Sequence, residues 1–493
     1  MTGLNLVVTL VNQVILAYLF GAGASMDAFL ACGAVPFVVL NLAIGDLGYV
    51  LVPLLMRCEK DGDLDRAIDA TFTAILVLSV GVSILGVTFH RSILHWTTAS
   101  NMPANTFNLA ASMAPVMWAI IGLTIVGSYL TGIHYFRRQF ASPSITLAVP
   151  YLGMIAGGLI GARNFGIISV AAGWAVGTLL RNLILFVTLP GKSMRLSRHL
   201  RHPAASSLLR SLPVLGLSLL PFAALPMIDV YWASRLPVGS ISYLGYSNRI
   251  VIALTAIVVQ GISVVLFPDL SEQIAKGQTQ VFRTRLIEAM KIIFLLMVPL
   301  AVAVAMARAP IVELALKRGK FSLESAIGVS RVLPFYLLGA VFMAMMNIVI
   351  RSFYAMQNYR TPAKLGMIAL VLYTSVSGLL IGRFSYLAVG MAYAVFWLFM
   401  FGLQAHCLGN RITRILDLGF ITFMGKVLTS SIAAAALVIS VSISAGLHNK
   451  SGGIALTEGA AGLLVFVAIS HFIFKLEQYP MIFEIVQRKW GMA

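Results

Sequence analysis

Residues 71–89 read TFTAILVLSVGVSILGVTF, a run without a single charged side chain. A helix crossing about 30 Å of hydrocarbon needs about 20 apolar residues. Hydrocarbon offers the backbone no hydrogen-bonding partner, so only helices or closed barrels span it. The run therefore reads as the heart of a membrane span over 68–89. Runs of the same kind occupy 4–20, 27–55, 108–133, 143–162, 165–188, 207–234, 241–268, 286–307, 326–356, 364–382, 385–407, 417–446 and 453–474. With 59% hydrophobic and 11% charged residues among 493, and a mean hydropathy of +0.93, no stretch remains for a sizeable water-soluble domain. The expectation is an all-α polytopic membrane protein with about 14 transmembrane helices. The first run starts beside Met1 with no basic region and no small-residue cleavage site, so it reads as a retained helix and not a signal peptide.

The net charge of +18 follows topology. Lys and Arg gather in alternate short loops: Arg57, Lys60 and Arg66; Arg137 and Arg138; Lys192, Arg195, Arg198 and Arg201; Lys276, Arg283 and Arg285; Arg360 and Lys364; Arg411 and Arg414. This pattern is the positive-inside rule. It predicts a multi-pass protein with both termini cytoplasmic, drawn to anionic headgroups and not to nucleic acid. One loop disagrees, because Arg308, Lys317, Arg318 and Lys320 fall on the expected outer side. Cys32, Cys58 and Cys407 are too scattered for a disulfide framework or a thiolate metal site.

The two halves echo each other. Phe20-Gly21-Ala22-Gly23, Asp27 and Leu51-Val52-Pro53-Leu54-Leu55 return as Leu236-Pro237-Val238-Gly239 and Val265-Leu266-Phe267-Pro268-Asp269-Leu270, each followed by a charged loop. Tyr135 to Pro143 returns as Tyr354 to Pro362. Such repeats in a membrane chain point to a transporter with its binding site between the repeats. The expected division is an N-terminal six-helix lobe over 1–190, a cytoplasmic linker over 191–206, a pseudo-symmetric second six-helix lobe over 207–410, and two additional helices with a tail over 411–493. Gly153, Gly157 and Gly161 form a small-residue ridge suited to close helix packing.

Ionisable residues inside spans are costly unless they face a cavity or a partner. Asp46, Arg181, Asp229, Arg249, Arg331, Arg351 and Lys426 are of this kind. Arg249, within Tyr246-Ser247-Asn248-Arg249-Ile250, offers a forked donor that suits phosphate or carboxylate. Asp229 either neutralises Arg249 or serves the transport site. Arg181, Arg351 and Lys426 read as packing or snorkelling residues. Enzymatic signatures are weak: Gly191-Lys192-Ser193 lacks the first glycine of a phosphate-binding loop, no HExxH occurs, and the His pairs 90/95 and 199/202 have no carboxylate or thiol beside them. The chain is therefore read as a transporter and not an enzyme, with no metal site and no cofactor.

Taken together, these stretches resemble the MurJ/MviN family of lipid II flippases, in the multidrug/oligosaccharidyl-lipid/polysaccharide exporter superfamily. The best matches are Phe20-Gly21-Ala22-Gly23 with Asp27-Ala28-Phe29, Val52-Pro53-Leu54-Leu55, Asp229 with Ala233-Ser234, and the stretch Gly239 to Arg249. Phe267-Pro268-Asp269-Leu270-Ser271, Arg318-Gly319-Lys320-Phe321 and Arg351 to Pro362 complete them. The resemblance implies two lobes in a V around a cationic cavity, a lipid groove formed with the last two helices, and alternating access. It also implies transport of an undecaprenyl-diphosphate-linked saccharide from the inner to the outer leaflet. That cargo is a lipid II-like peptidoglycan precursor or an exopolysaccharide repeat unit. On this reading Arg249, Asn12, Asp27, Asn248 and Asp46 contact substrate or line the cavity. Asp229, Thr374 and Ser377 serve a coupling cation, Na+ or H+, unless the membrane potential drives transport. The implied partners are the lipid-linked saccharide, membrane lipids and glycan-synthesis enzymes. The chain departs from the family where it has Asn12-Gln13 for a charged pair, Tyr18 for a basic residue, and Val39 and Leu40 where paired arginines are expected. The other readings are a cation-coupled multidrug exporter and a non-transporting lipid-binding subunit of a glycan assembly complex.

Overall fold

The computed structural model describes residues 2–44, 47–98, 101–189, 194–196, 202–356, 358, 360–409, 415–445 and 452–473. Among these the chain is helical throughout, with no strand. The helices are α1 (Thr2–Phe20), α2 (Ala24–Ile44), α3 (Leu47–Lys60), α4 (Leu64–Thr97), α5 (Ala104–Phe136), α6 (Ala141–Thr146), α7 (Val149–Phe165), α8 (Ile168–Val187) and α9 (Pro203–Ala223). They continue as α10 (Leu225–Ala233), α11 (Ser240–Ala275), α12 (Thr279–Met306), α13 (Arg308–Leu316), α14 (Leu323–Ala355), α15 (Arg360–Phe384), α16 (Tyr386–Gly409), α17 (Leu418–Ser444) and α18 (Gly452–Ala468). Among the described residues, 12 helical segments are long and apolar enough to cross a membrane, and two shorter apolar segments, Asn5–Phe20 and Leu219–Ala233, join them. Each of the expected spans coincides with one of these segments. The protein is an all-α, multi-pass membrane protein.

The run 27–55 is described as α2 and α3, with 45–46 outside the described residues. The run 207–234 divides at Ala224, because Pro226 enters the first turn of α10. Proline has no N–H to donate, and its ring disfavours a helix continuing from before it.

The chain forms two compact units. The first comprises Met1–Gly245 with Leu316–Ser325, and the second Tyr246–Ala315 with Ala326–Ala493. Compactness thus divides the chain elsewhere than the repeat and the 191–206 linker do: α9 and α10 pack with the first unit. The reason is visible in the core, where Leu208 and Leu212 of α9 are buried with Leu51, Leu55, Ile75 and Tyr129.

In the first unit α5 is the central helix, touching α2, α3, α4 and α8. Polar bonds set its register. Tyr129 Oη donates to Ile68 O at 3.0 Å and meets the Thr71 hydroxyl at 2.9 Å. Ser79 Oγ donates to Gly122 O at 2.7 Å. Asn182 Nδ2 of α8 donates to Leu123 O at 2.7 Å. The glycine ridge of α7 lies against α8: a Cβ on Gly157 would stand 2.3 Å from Ser169 O and 2.9 Å from Gly173 Cα. Small residues let the backbones approach, as dispersion packing in lipid requires.

In the second unit α15 pairs with α16, while α12 packs on α17 and α18. The Tyr336 and Tyr393 rings stack with centroids 4.3 Å apart. Arg283 Nη2 of α12 donates to Asp417 Oδ2 at 2.7 Å, and Asp417 Oδ1 caps α17 by accepting from Phe420 N, also at 2.7 Å. The cap N–H and the guanidinium hold the Asp417 carboxyl below its ordinary range.

Replacing Gly157 with Ala is expected to lower the thermal midpoint in detergent, at a cost of about 1–3 kcal/mol, because the facing atoms are backbone and cannot yield. Gly81→Ala, with nothing within 4 Å of its Cβ, serves as the neutral control. Asp417→Ala is expected to cost about 1 kcal/mol, the worth of a helix cap. A depressed carboxylate stabilises the fold above its unfolded pKa of about 3.9. The gap between wild type and variant in a thermal scan should therefore close as pH falls through and below that value.

Candidate functional site

Asp27 is 3% exposed in the first turn of α2. Its carboxylate accepts from Gly239 N at 2.6 Å, from Ser242 N at 2.8 Å and from Ser242 Oγ at 2.5 Å. These amides belong to the start of α11, whose first N–H groups have no partner within the helix. The negative charge also faces the positive end of the helix dipole. Asp27 is thus the N-terminal cap of α11, supplied from 212 residues away.

A third segment closes the same corner. Lys320 N donates to Tyr18 O, the last turn of α1, at 2.9 Å. Gly21 adopts φ +67°, and a Cβ there would stand 2.4 Å from Lys320 O. Only glycine takes that conformation freely and admits that approach. Three stretches singled out in the sequence, 20–27, 239–249 and 318–321, therefore meet through 21–27, 239–242 and 320. The basic loop that broke the charge pattern is the strap that closes the corner.

The other candidates are placed by helix and burial. Asn12 is fully buried in α1, its Nδ2 3.8 Å from Met154 Sδ of α7 and its Oδ1 without a hydrogen-bond partner among the described residues. Asn248 and Arg249 are half-buried on α11, within the second unit. Asp229 is 8% exposed on α10 and belongs to the first unit. Thr374, half-buried, and Ser377, fully buried, sit on α15 in the second. Asp46 lies outside the described residues. Among the described residues no cluster of three or more His, Cys, Asp or Glu side chains has the arrangement to hold a metal ion. A small cleft between α12, α17 and α18 is lined by Pro299, Ala303, Met306, Ser431, Gly462 and Phe466.

One buried acid went unremarked in the sequence. Glu458 is 6% exposed on α18 and accepts from the Ser442 hydroxyl of α17. It stands inside the apolar run 453–474, so the same rule that picked out Asp229 applies to it.

The fold is that of a helical membrane transporter. It superposes on the inward-facing conformation of a multidrug resistance MATE family transporter of the MOP superfamily with a TM-score of 0.69 at 15% identity, covering 82% of this chain and 95% of that one. A closer likeness is to the inward closed conformation of a lipid II flippase MurJ, with a TM-score of 0.82 at 18% identity, covering 96% and 98%. The "Probable lipid II flippase MurJ" of Bdellovibrio bacteriovorus is 24% identical over 370 residues, 72% of this chain and 70% of its own length. Residues 16–451 match the family model described as "Lipid II flippase MurJ", and the chain belongs to the MurJ family. That membership sets it among transporters and not enzymes.

Asp27→Ala is expected to speed hydrogen exchange at the Gly239 and Ser242 amides and to cost about 1–3 kcal/mol, the penalty for leaving buried donors unsatisfied. Unchanged exchange at those amides would remove Asp27 as the cap.

Proposed function

We propose that this chain is a flippase carrying an undecaprenyl-diphosphate-linked saccharide, lipid II foremost, from the inner to the outer leaflet of a bacterial inner membrane. The observation that carries this reading is the family match, which spans 16–451 and takes in Arg249. Transport proceeds by alternating access, with both termini on the cytoplasmic side as the loop charges require. Arg249 contacts the diphosphate: its fork of donors matches the oxyanions, and a guanidinium within a span calls for such a partner. Asn248 and Asp46 line the same path, and Asn12 adds polarity without charge. Asp27 serves it from a distance by fixing the start of the helix that carries Arg249. Asp229, with Thr374 and Ser377, takes part in coupling to Na+ or H+.

An exopolysaccharide repeat unit is the second reading. It draws on the uncharged Asn12, buried against Met154, where a more cationic cavity would hold the diphosphate of lipid II more tightly. Complementation of a strain depleted of its lipid II flippase separates the two, since growth favours lipid II.

In vesicles loaded with fluorescent lipid II, Arg249→Ala is expected to cut the flipping rate at least about tenfold, the worth of one charge-assisted hydrogen bond. Arg249→Lys should recover only part of it, having the charge without the fork. Full activity in Arg249→Ala overturns the role given to this residue.

A further inference from the structure

The strap that closes the Asp27 corner carries exposed cations. Its ends are anchored by Leu316 and Phe321, 4% and 2% exposed, in the first unit, to which Leu316–Ser325 belong. Residues 317–320 between them are exposed. Arg318 N donates to Leu316 O at 2.7 Å and Phe321 N to Arg318 O at 3.2 Å, so the strap is a tight turn. The bond from Lys320 N to Tyr18 O, at 2.9 Å, fastens it to the last turn of α1. Gly319, at φ +59°, makes that approach possible, since a Cβ there would stand 2.3 Å from Tyr18 O and 2.7 Å from Tyr18 Cδ2. The Tyr18 ring, 51% exposed, thus lies against the one residue that separates Arg318 from Lys320. Two cations and a phenol are gathered around Gly319.

The chain supplies no counter-charge. Among the described residues no carboxylate pairs with Arg318 or Lys320. Asp27, the acid of this corner, is committed to Gly239 and Ser242. Glu324, exposed in the first turn of α14, pairs with neither cation. The turn lies between the ends of two apolar segments, Asn5–Phe20 and Leu323–Tyr354. That sets it at the level of lipid headgroups, where tyrosine is favoured. Loop charges put this end on the expected outer side, where topology asks for few cations, so topology does not account for the pair. A guanidinium fork beside an ammonium suits phosphate oxygens. Fixing both on one pinned turn lowers the ordering cost of binding.

We propose that Arg318 and Lys320, with the Tyr18 hydroxyl beside them, bind the phosphate of a lipid headgroup at the end of α1. The oxyanion comes either from a bulk anionic phospholipid or from the diphosphate of the lipid-linked cargo. Only the second source rests on the flippase reading.

Native mass spectrometry of the full chain tests this, with phosphatidylglycerol, undecaprenyl diphosphate and, as the phosphate-free control, diacylglycerol. The double variant Arg318→Gln/Lys320→Gln is expected to lose at least about tenfold in affinity for one phosphate lipid or both, with diacylglycerol unaffected. The lipid whose adduct falls identifies the source. Arg91→Gln/Arg163→Gln removes the same charge from two other exposed positions and should keep both adducts at the wild-type level. An equal fall in the two double variants makes the effect one of net charge and overturns the site, as do unchanged adducts in the first. Gly319→Ala keeps both cations but drives the turn off Tyr18, so it is expected to weaken the same adduct; wild-type affinity in its folded fraction overturns the geometry claimed for the site. Thermal unfolding without added lipid guards against a purely structural effect. Arg318→Gln/Lys320→Gln alters exposed side chains, so its midpoint should match wild type, whereas a fall of several degrees makes the pair a structural tie and overturns the proposal. Transport by Arg249→Ala is read separately, so a failed flippase reading leaves the phosphatidylglycerol result standing.

Discussion

Hydrocarbon satisfies no backbone group, and it welcomes any apolar helix face as readily as another helix does. The first property makes this chain helical; the second leaves hydrophobicity unable to choose which helices become neighbours. Small residues and buried polar bonds make that choice. α7 and α8 meet because their facing ridges carry almost no side chain. α5 holds its place among four helices through Tyr129, through the Gly122 carbonyl that receives Ser79, and through the Leu123 carbonyl that receives Asn182. Each such bond is worth only about 0.6–2 kcal/mol in a membrane, yet each has one geometry, and together they fix register where apolar contact alone would slide.

The same medium makes every charge a decision about partners. Asp27 is the settled case, a carboxylate surrounded by two amides and a hydroxyl and set against a helix start. Glu458 shares a hydroxyl with its neighbouring helix. Arg181 and Arg137 are the unsettled case, with donors turned inward and no carboxylate to receive them among the described residues. A protein in water tolerates such groups at little cost; in lipid each costs free energy unless a polar partner reaches it.

What the sequence made legible follows from range. Spans and the Gly153–Gly161 ridge are local patterns, and both reappear in the helices. The helix break at 224 was also written locally, in Pro226, but the hydropathy of the surrounding run hid it. Asp27 stood out, yet its role did not, because its partners lie more than 200 positions away. The placement of α9 and α10 with the first unit was illegible for the same reason: hydropathy marks a helix as buried in the membrane without naming what it packs against. Arg181 shows the converse. Its sequence context admitted packing or snorkelling, and only the fold shows it buried and donating to Thr131 of α5.

The charge pattern gains a different meaning from the fold. α1 carries Asn12 against Met154, and α2 carries Leu40, half-buried and apolar, so neither helix brings a cation where a diphosphate carrier would be expected to need several. The described cations within the bilayer stand elsewhere, as Arg249 on α11 and Arg181 on α8. A diphosphate needs a certain number of donors in reach, and the identity of the helix that supplies each one is immaterial to Coulomb's law. With no Lys or Arg on α1 or α2 and guanidiniums on α8 and α11, the cationic character of this chain lies on other helices. The number of arginines on α1 and α2 alone is a poor measure of what it can carry.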